Sequence, residues 1–312
     1  MDRQTGKKSG VVNLPDGLSL YLMSAGPERK SNNEPAVIIE HGLGGSRFEW
    51  LATMRLVADF ARVYVYERAG YTPSGPPLSH QPPTLQQSAA NLKSLLETAR
   101  IAPPYILVGH SIGGKLIRQF LADYGKDVVS GMVIVDGSPL TVRMPSNCGE
   151  LCGSTGYLEV VGVKAHHTIP EDEWEKVENE DPSNAAIQQL ELEHAAPDGP
   201  GTAGRDLYER LKGRQALGDG RLSVIFADEA NDLQKMLDYS IEHGCGSQKA
   251  RDDARKHLEN MSVLDEALAR ESMELSSNAR FVKAEGKLKT HNLHVIDPGF
   301  VARQIEWVFS GR

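Results

Sequence analysis

Short apolar runs of strand length recur along the chain, and the segments between them carry apolar residues at helical spacing. Ala36 to Ile39, Arg62 to Tyr66, Tyr105 to Val108, Met132 to Val135 and Leu222 to Phe226 are such runs, and Arg280 to Ala284 follows near the end. Several are continuously apolar rather than alternating, as strands covered by helices on both faces of a parallel sheet must be. Ahead of them, Gly10 to Leu14 and Leu18 to Met23 flank Pro15-Asp16-Gly17, whose turn chemistry predicts an opening hairpin. Thr84 with Gln87 forms a capping box, and Leu85, Ala89, Leu92, Leu96 and Ala99 then fall on one helical face. Leu116, Ile117, Phe120, Leu121 and Tyr124 repeat the pattern after residue 111, and Asp297-Pro298 opens a last helix with Val301, Ile305 and Val308 inward. Strands alternating with helices predict an α/β fold with a mostly parallel, doubly wound sheet behind an antiparallel hairpin.

Residues 140–220 break that rhythm. They are rich in Glu, Asp, Gly and Pro, with helical pieces at Glu171 to Glu178 and Asn184 to His194. The expected division is a core of residues 1–139 and 221–312 with a helical lid inserted at 140–220. A second charged, helical stretch from Asn231 to Leu275 delays the final strand.

The chain of 312 residues has 34 basic and 42 acidic residues, a formal net charge of -8 and no long basic run. That balance gives no footprint for nucleic acid and favours a small-molecule partner. The first ten residues contain no apolar run, and no stretch approaches the roughly 18 apolar residues a membrane span needs. Cys148, Cys152 and Cys245 are too few for a disulfide framework and lack paired zinc spacing, so a reducing, cytoplasmic setting is expected, with no metal and no cofactor. A monomer or homodimer fits this picture.

Chemistry enters at Gly109-His110-Ser111-Ile112-Gly113-Gly114, directly after the run Tyr105 to Val108 and directly before a helical pattern. A serine presented at so sharp a strand-to-helix bend needs glycine on both sides, and Gly109 and Gly113 supply it. His41-Gly42-Leu43-Gly44-Gly45 follows the run Ala36 to Ile39, and two backbone amides, Leu43 and Ile112, are the candidates to hold a developing oxyanion. A serine hydroxyl also needs a base. Of ten histidines, His291 and His294 lie in the loop after the last predicted strand, at the same sheet edge as the bend. Two acids are available to orient the imidazole: Asp136, ending Val133-Ile134-Val135-Asp136, and Asp232, in the loop after Phe226. Asp136 is preferred because it sits at the strand end itself. His41, Phe48, Trp50, His110, Tyr157 and Trp174 are candidate pocket residues, and His166, His167 and Tyr208 lie in the lid segment.

With these pieces placed, the chain resembles the α/β-hydrolase superfamily over most of its length. The resemblance runs through the His41-Gly42 loop, Tyr66-Glu67-Arg68-Ala69-Gly70-Tyr71-Thr72-Pro73-Ser74, the Gly109 to Gly114 elbow, Val135-Asp136 and the His291 loop. It implies a lid-bearing serine enzyme and selects His291 over His294 as base. Departures are Glu67 where aspartate is usual, Lys287-Leu288-Lys289-Thr290 before the histidine, and Ala227 where glycine often precedes the acid of the later strand. The expected activity is hydrolysis of an ester, lactone, thioester or amide of a small acyl substrate. A transferase or lyase using the same residues, or a ligand-binding protein that keeps the pocket, are the alternatives.

Overall fold

Asp16 Oδ1 accepts the Leu18 amide at 3.0 Å and Gly17 takes a left-handed conformation, so the chain reverses between β1 (Lys8–Asn13) and β2 (Ser19–Ala25). The computed structural model describes residues 3–79, 83–137, 145, 147–179, 184, 186–189, 191 and 203–311. After the hairpin come β3 (Ala36–Glu40), β4 (Val63–Tyr66), β5 (Tyr105–His110), β6 (Val129–Val135), β7 (Arg221–Phe226) and β8 (Ala279–Lys283). They form one eight-stranded sheet in the order β1-β2-β4-β3-β5-β6-β7-β8, with β2 antiparallel to both neighbours and all pairings from β4 to β8 parallel.

The continuously apolar runs are buried on both sides, as β3, β4 and β5 show residue by residue. Alternation still sorts them. Leu107 points into one core with Leu92, Leu96, Ile117 and Phe120, while Ile106 and Val108 point into another with Met54, Val57, Val301 and Ile305. The helices Leu85–Thr98 and Ile112–Tyr124 therefore cover one face, and Leu51–Val57 and Pro298–Ser310 the other. Thr84 closes the predicted capping box, and the Asp297 side chain accepts the Phe300 amide.

β6 starts at Val129, ahead of the apolar run at Met132. Ser130 and Gly131 mask it in the sequence: a Cβ on Gly131 would come within 2.5 Å of Val308 Cγ1, so the residue is small because a helix lies against it.

Two helical excursions leave the sheet. The helices Tyr157–Val160, Val163–His166 and Glu171–Glu178 share a third apolar cluster with Ala230–His243, Gln248–Leu258 and Met261–Glu271. Its members include Leu151, Val161 and Trp174 from one excursion, Leu233, Met236 and Leu237 from the other, and Val295 and Ile296 just past the last strand. Helix Ala203–Leu211 instead sends Leu207 and Leu211 into a sheet-face core. Of the expected helical piece at residues 184–194, residues 185, 190 and 192–194 lie outside the described residues. Among the described residues no helix is long and apolar enough to cross a membrane.

Candidate active site

Strand register brings the polar positions to one edge. Glu40 lies level with Gly109, His110 with Val135, and Val135 with Ile225. One residue beyond that row, at the carboxyl ends of the strands, stand His41, Ser111 and Asp136, and just past the end of β7 comes the run Ala227-Asp228-Glu229. Ser111 sits at φ +54° and ψ -124°, and Asp136 at φ +41°. A non-glycine residue with positive φ carries a strain of about 1–3 kcal/mol, which the surrounding structure must hold in place.

Two glycines make the bend at Ser111 physically possible. A Cβ on Gly109 would lie 2.5 Å from the Gly113 carbonyl oxygen, and one on Gly113 would lie 2.7 Å and 2.8 Å from the Glu40 and His41 oxygens. The helix Ile112–Tyr124 begins directly after Ser111, so its first turn of amides and its positive dipole end face the space above that residue. The loop after β3 presses on the same spot: a Cβ on Gly42 would be 2.8 Å from His110 Nδ1 and 3.3 Å from Ser111 Cβ. Leu43 and Ile112 thus stand on the two chain segments that flank Ser111.

The loop after β8 returns His291. Its Nδ1 is 2.7 Å from Asp136 Oδ2, while Asp136 Oδ1 accepts the Ala227 amide at 2.8 Å. Asp232 plays a different part. Its Oδ2 accepts the Thr290 hydroxyl and the His291 backbone amide, both at 2.8 Å, and the Tyr157 hydroxyl at 3.3 Å. It grips the loop rather than the ring. Of the two acids open in the sequence, Asp136 is the one that meets the imidazole.

Glu229 was not singled out from the sequence, although its place three residues past β7 puts it at the same edge. Its Oε1 is 4.0 Å from His291 Nδ1. Burial is the largest single influence on His291 and favours the neutral ring, but Glu229, Asp136 and Asp232 together outweigh it and push the pKa up to about 10. The acids are shifted upward as well: burial raises Glu229 and Asp232, and Asp265, buried and also crowded by Glu229, Asp136 and Asp228, is raised to about 7. Asp136, Glu229 and His291 are a group of side chains able to ligate a metal, yet the Nδ1 such an ion would take is the atom already bonded to Asp136.

The histidines packed beside His291 are structural in their contacts. His110 Nε2 meets the His291 carbonyl oxygen at 2.8 Å, and its ring lies 4.6 Å from that of His291 and 4.3 Å from that of His294. His294 is fully buried and stacked on Trp50, with centroids 4.6 Å apart. Burial drives His41 and His110 well below the ordinary imidazole range, so both are neutral. Tyr157 accepts the Asn292 amide at 3.3 Å and so supports the His291 loop through Asp232. Phe48 lies beneath the Arg47 guanidinium, and Trp174 is buried against His167 in the third cluster.

A doubly wound α/β protein with serine, imidazole and carboxylate gathered at the strand carboxyl ends is the class that fold and site together define. The model of the alpha/beta hydrolase fold family matches residues 35–150. An "AB hydrolase superfamily protein" of Gibberella zeae is 28% identical over 304 residues, covering 92% of this chain and 89% of that protein. The "Probable transporter efuK" of Hormonema carpetanum is 29% identical over 310 residues, or 96% of this chain, and the chain spans 42% of its length. Among solved structures, the enol-lactonase from Burkholderia xenovorans LB400 superposes with a TM-score of 0.60 at 15% identity, covering 96% of this chain and 100% of that one. The chain is similar to the α/β-hydrolase superfamily in sequence, most directly over residues 35–150, and its fold is the α/β-hydrolase fold.

Proposed function

We propose that this protein is a serine hydrolase acting on an ester or lactone of a small acyl substrate, through Ser111, His291 and Asp136. The observation that carries the reading is the 2.7 Å contact between His291 Nδ1 and Asp136 Oδ2 at the sheet edge where Ser111 is held at positive φ. With Nδ1 committed to the carboxylate, Nε2 is the nitrogen left to take a proton. His291 removes the Ser111 hydroxyl proton as the oxygen attacks the carbonyl carbon. The amides of Leu43 and Ile112 carry the negative charge that develops on the carbonyl oxygen. Collapse expels the alcohol, which takes the proton from His291 and leaves an acyl-Ser111 ester. Water, deprotonated by His291, then releases the acid and restores the hydroxyl. The lactonase named above supports the bond class, as do relatives described as lipases, such as the human (lyso)-N-acylphosphatidylethanolamine lipase, 26% identical over 152 residues.

A fluorophosphonate probe tests the assignment. It labels the native protein and spares Ser111→Ala, and p-nitrophenyl acetate turnover is lost with the label. Equal labelling of both proteins removes the reading.

A further inference from the structure

One buried charge cluster beside the site is not used by the mechanism above. The Arg68 guanidinium, 6% exposed, donates to Glu40 Oε1 at 2.6 Å, to the His41 carbonyl oxygen at 2.8 Å and to the Gly42 carbonyl oxygen at 3.0 Å. Its outer side meets Glu191 in a two-point pairing, Nε to Oε1 at 3.1 Å and Nη2 to Oε2 at 3.0 Å. Tyr71 completes the ring: its hydroxyl donates to Glu191 Oε2 at 2.7 Å and accepts the Gly44 amide at 3.2 Å.

The Gly42 carbonyl belongs to the same peptide unit as the Leu43 amide. A trans peptide is planar, and its N-H points opposite to its C=O. Holding the Gly42 oxygen on Arg68 therefore aims the Leu43 N-H away from Arg68, and the Tyr71 contact fixes the next peptide unit. Both flanks of Leu43 are clamped by one bonded group whose outermost member, Glu191, comes from more than a hundred residues further along the chain. That segment is seated on the same surface by two other contacts: the Thr72 amide donates to Asn184 Oδ1 at 2.9 Å, and Ile187 covers Gly70, where a Cβ would lie 2.8 Å from Ile187 Cγ1.

We propose that Glu191 is a positioning residue for the oxyanion-binding amide of Leu43, acting through Arg68 and Tyr71, so that the seating of Asn184, Ile187 and Glu191 sets the competence of the site. The inference rests on the serine hydrolase reading. Glu191 touches no reacting atom. A buried guanidinium deprived of one of its two carboxylates swings toward whatever acceptor remains, and the Gly42 carbonyl it holds turns with it.

The test compares Glu191→Ala, Glu191→Gln and Tyr71→Phe with the native protein and Ser111→Ala, using p-nitrophenyl acetate and, as a second readout, inhibition by phenylboronic acid. The boronate forms a tetrahedral anionic adduct on serine and presents its oxygen to the same amides. In Glu191→Ala, kcat falls about tenfold, a fraction of what loss of a whole oxyanion donor costs, with KM changed far less. Boronate affinity falls by the same factor. Glu191→Gln, which keeps a hydrogen-bonding oxygen, loses less, and Tyr71→Phe added to Glu191→Ala lowers kcat no further than the worse single variant. Ser111-dependent turnover with native kcat and native boronate affinity in both Glu191 variants overturns the inference. A fall in kcat matched by an equal fall in folded fraction, measured by circular dichroism, also overturns it. Turnover that survives Ser111→Ala overturns the hydrolase reading first, and the positioning role with it.

Discussion

The two halves of the site are built in different ways. At the ends of β3 and β5 the geometry is made of backbone: Gly109, Gly113 and Gly42 let chain segments approach to distances no side chain permits, and the polar groups offered are amides. At the ends of β6, β7 and β8 it is made of side-chain charge, with Asp136 and Glu229 beside one imidazole and Asp232 on the backbone amide of the same residue. The first half fails by steric displacement and the second by change of protonation or tautomer. Variants that separate these failures sharpen the contrast.

Asp136→Asn carries the largest expected effect. In the proposed mechanism the amide cannot stabilise the imidazolium that would form when His291 takes the serine proton, and its NH2 group turned toward Nδ1 favours the wrong tautomer. A drop in kcat of about 10³ to 10⁴ is expected, with folding retained. If Asp232→Asn gives the larger loss and Asp136→Asn is nearly neutral, the division of labour between the acids is reversed.

Gly42→Ala attacks the backbone half. The added methyl meets His110 Nδ1 and Ser111 Cβ, so the loop after β3 and the bend after β5 must separate by a few tenths of an ångström or more. Displacement of an oxyanion donor on that scale costs about a hundredfold in kcat. Native turnover in a folded Gly42→Ala protein breaks the claim that this half works by close backbone approach.

Asp232→Ala has a smaller effect on rate and a clear one on stability. It strands the Thr290 hydroxyl and the His291 amide, at a cost of about 2 kcal/mol, which thermal unfolding reads directly. The rate falls about tenfold as the loop loosens.

The same contrast explains what the sequence disclosed. Glycine-flanked bends are local: Gly109 and Gly113 stand within two residues of Ser111, and the apolar run before them and the helical pattern after them identify the bend without tertiary information. The five covered strands, the hairpin at Asp16-Gly17 and the caps at Thr84 and Asp297 were legible for the same reason. The carboxylates were not. Asp136 and Asp232 are alike as letters after strands, and only the register of β6 against β7 and the return of the loop after β8 show which faces the ring. Glu229 and Glu191 were passed over because nothing in their neighbourhood distinguishes them from solvated acids. Each acquires its role from a partner at least about sixty residues away, His291 and Arg68 respectively.

Glu229→Gln carries the smallest expected effect and divides the two halves most sharply, because it leaves every backbone contact untouched. A base works only when neutral, and His291 is held toward its charged form by Glu229, Asp136 and Asp232, against burial. Removing the Glu229 charge takes away one of the terms that raises the imidazole, so its pKa falls. The sign follows: the acid limb of kcat/KM against pH moves to lower pH, by about one unit, equivalent to about 1.4 kcal/mol between the two protonation states. Below the limb the variant is faster than the native protein, by up to about tenfold at a fixed pH, and on the alkaline plateau the two converge. Because Glu229 and His291 titrate as a coupled set, the limb reports the pair rather than either group alone. A limb that stays in place, or moves to higher pH, shows that the Glu229 charge does not reach the imidazole and that Asp136 alone sets its basicity.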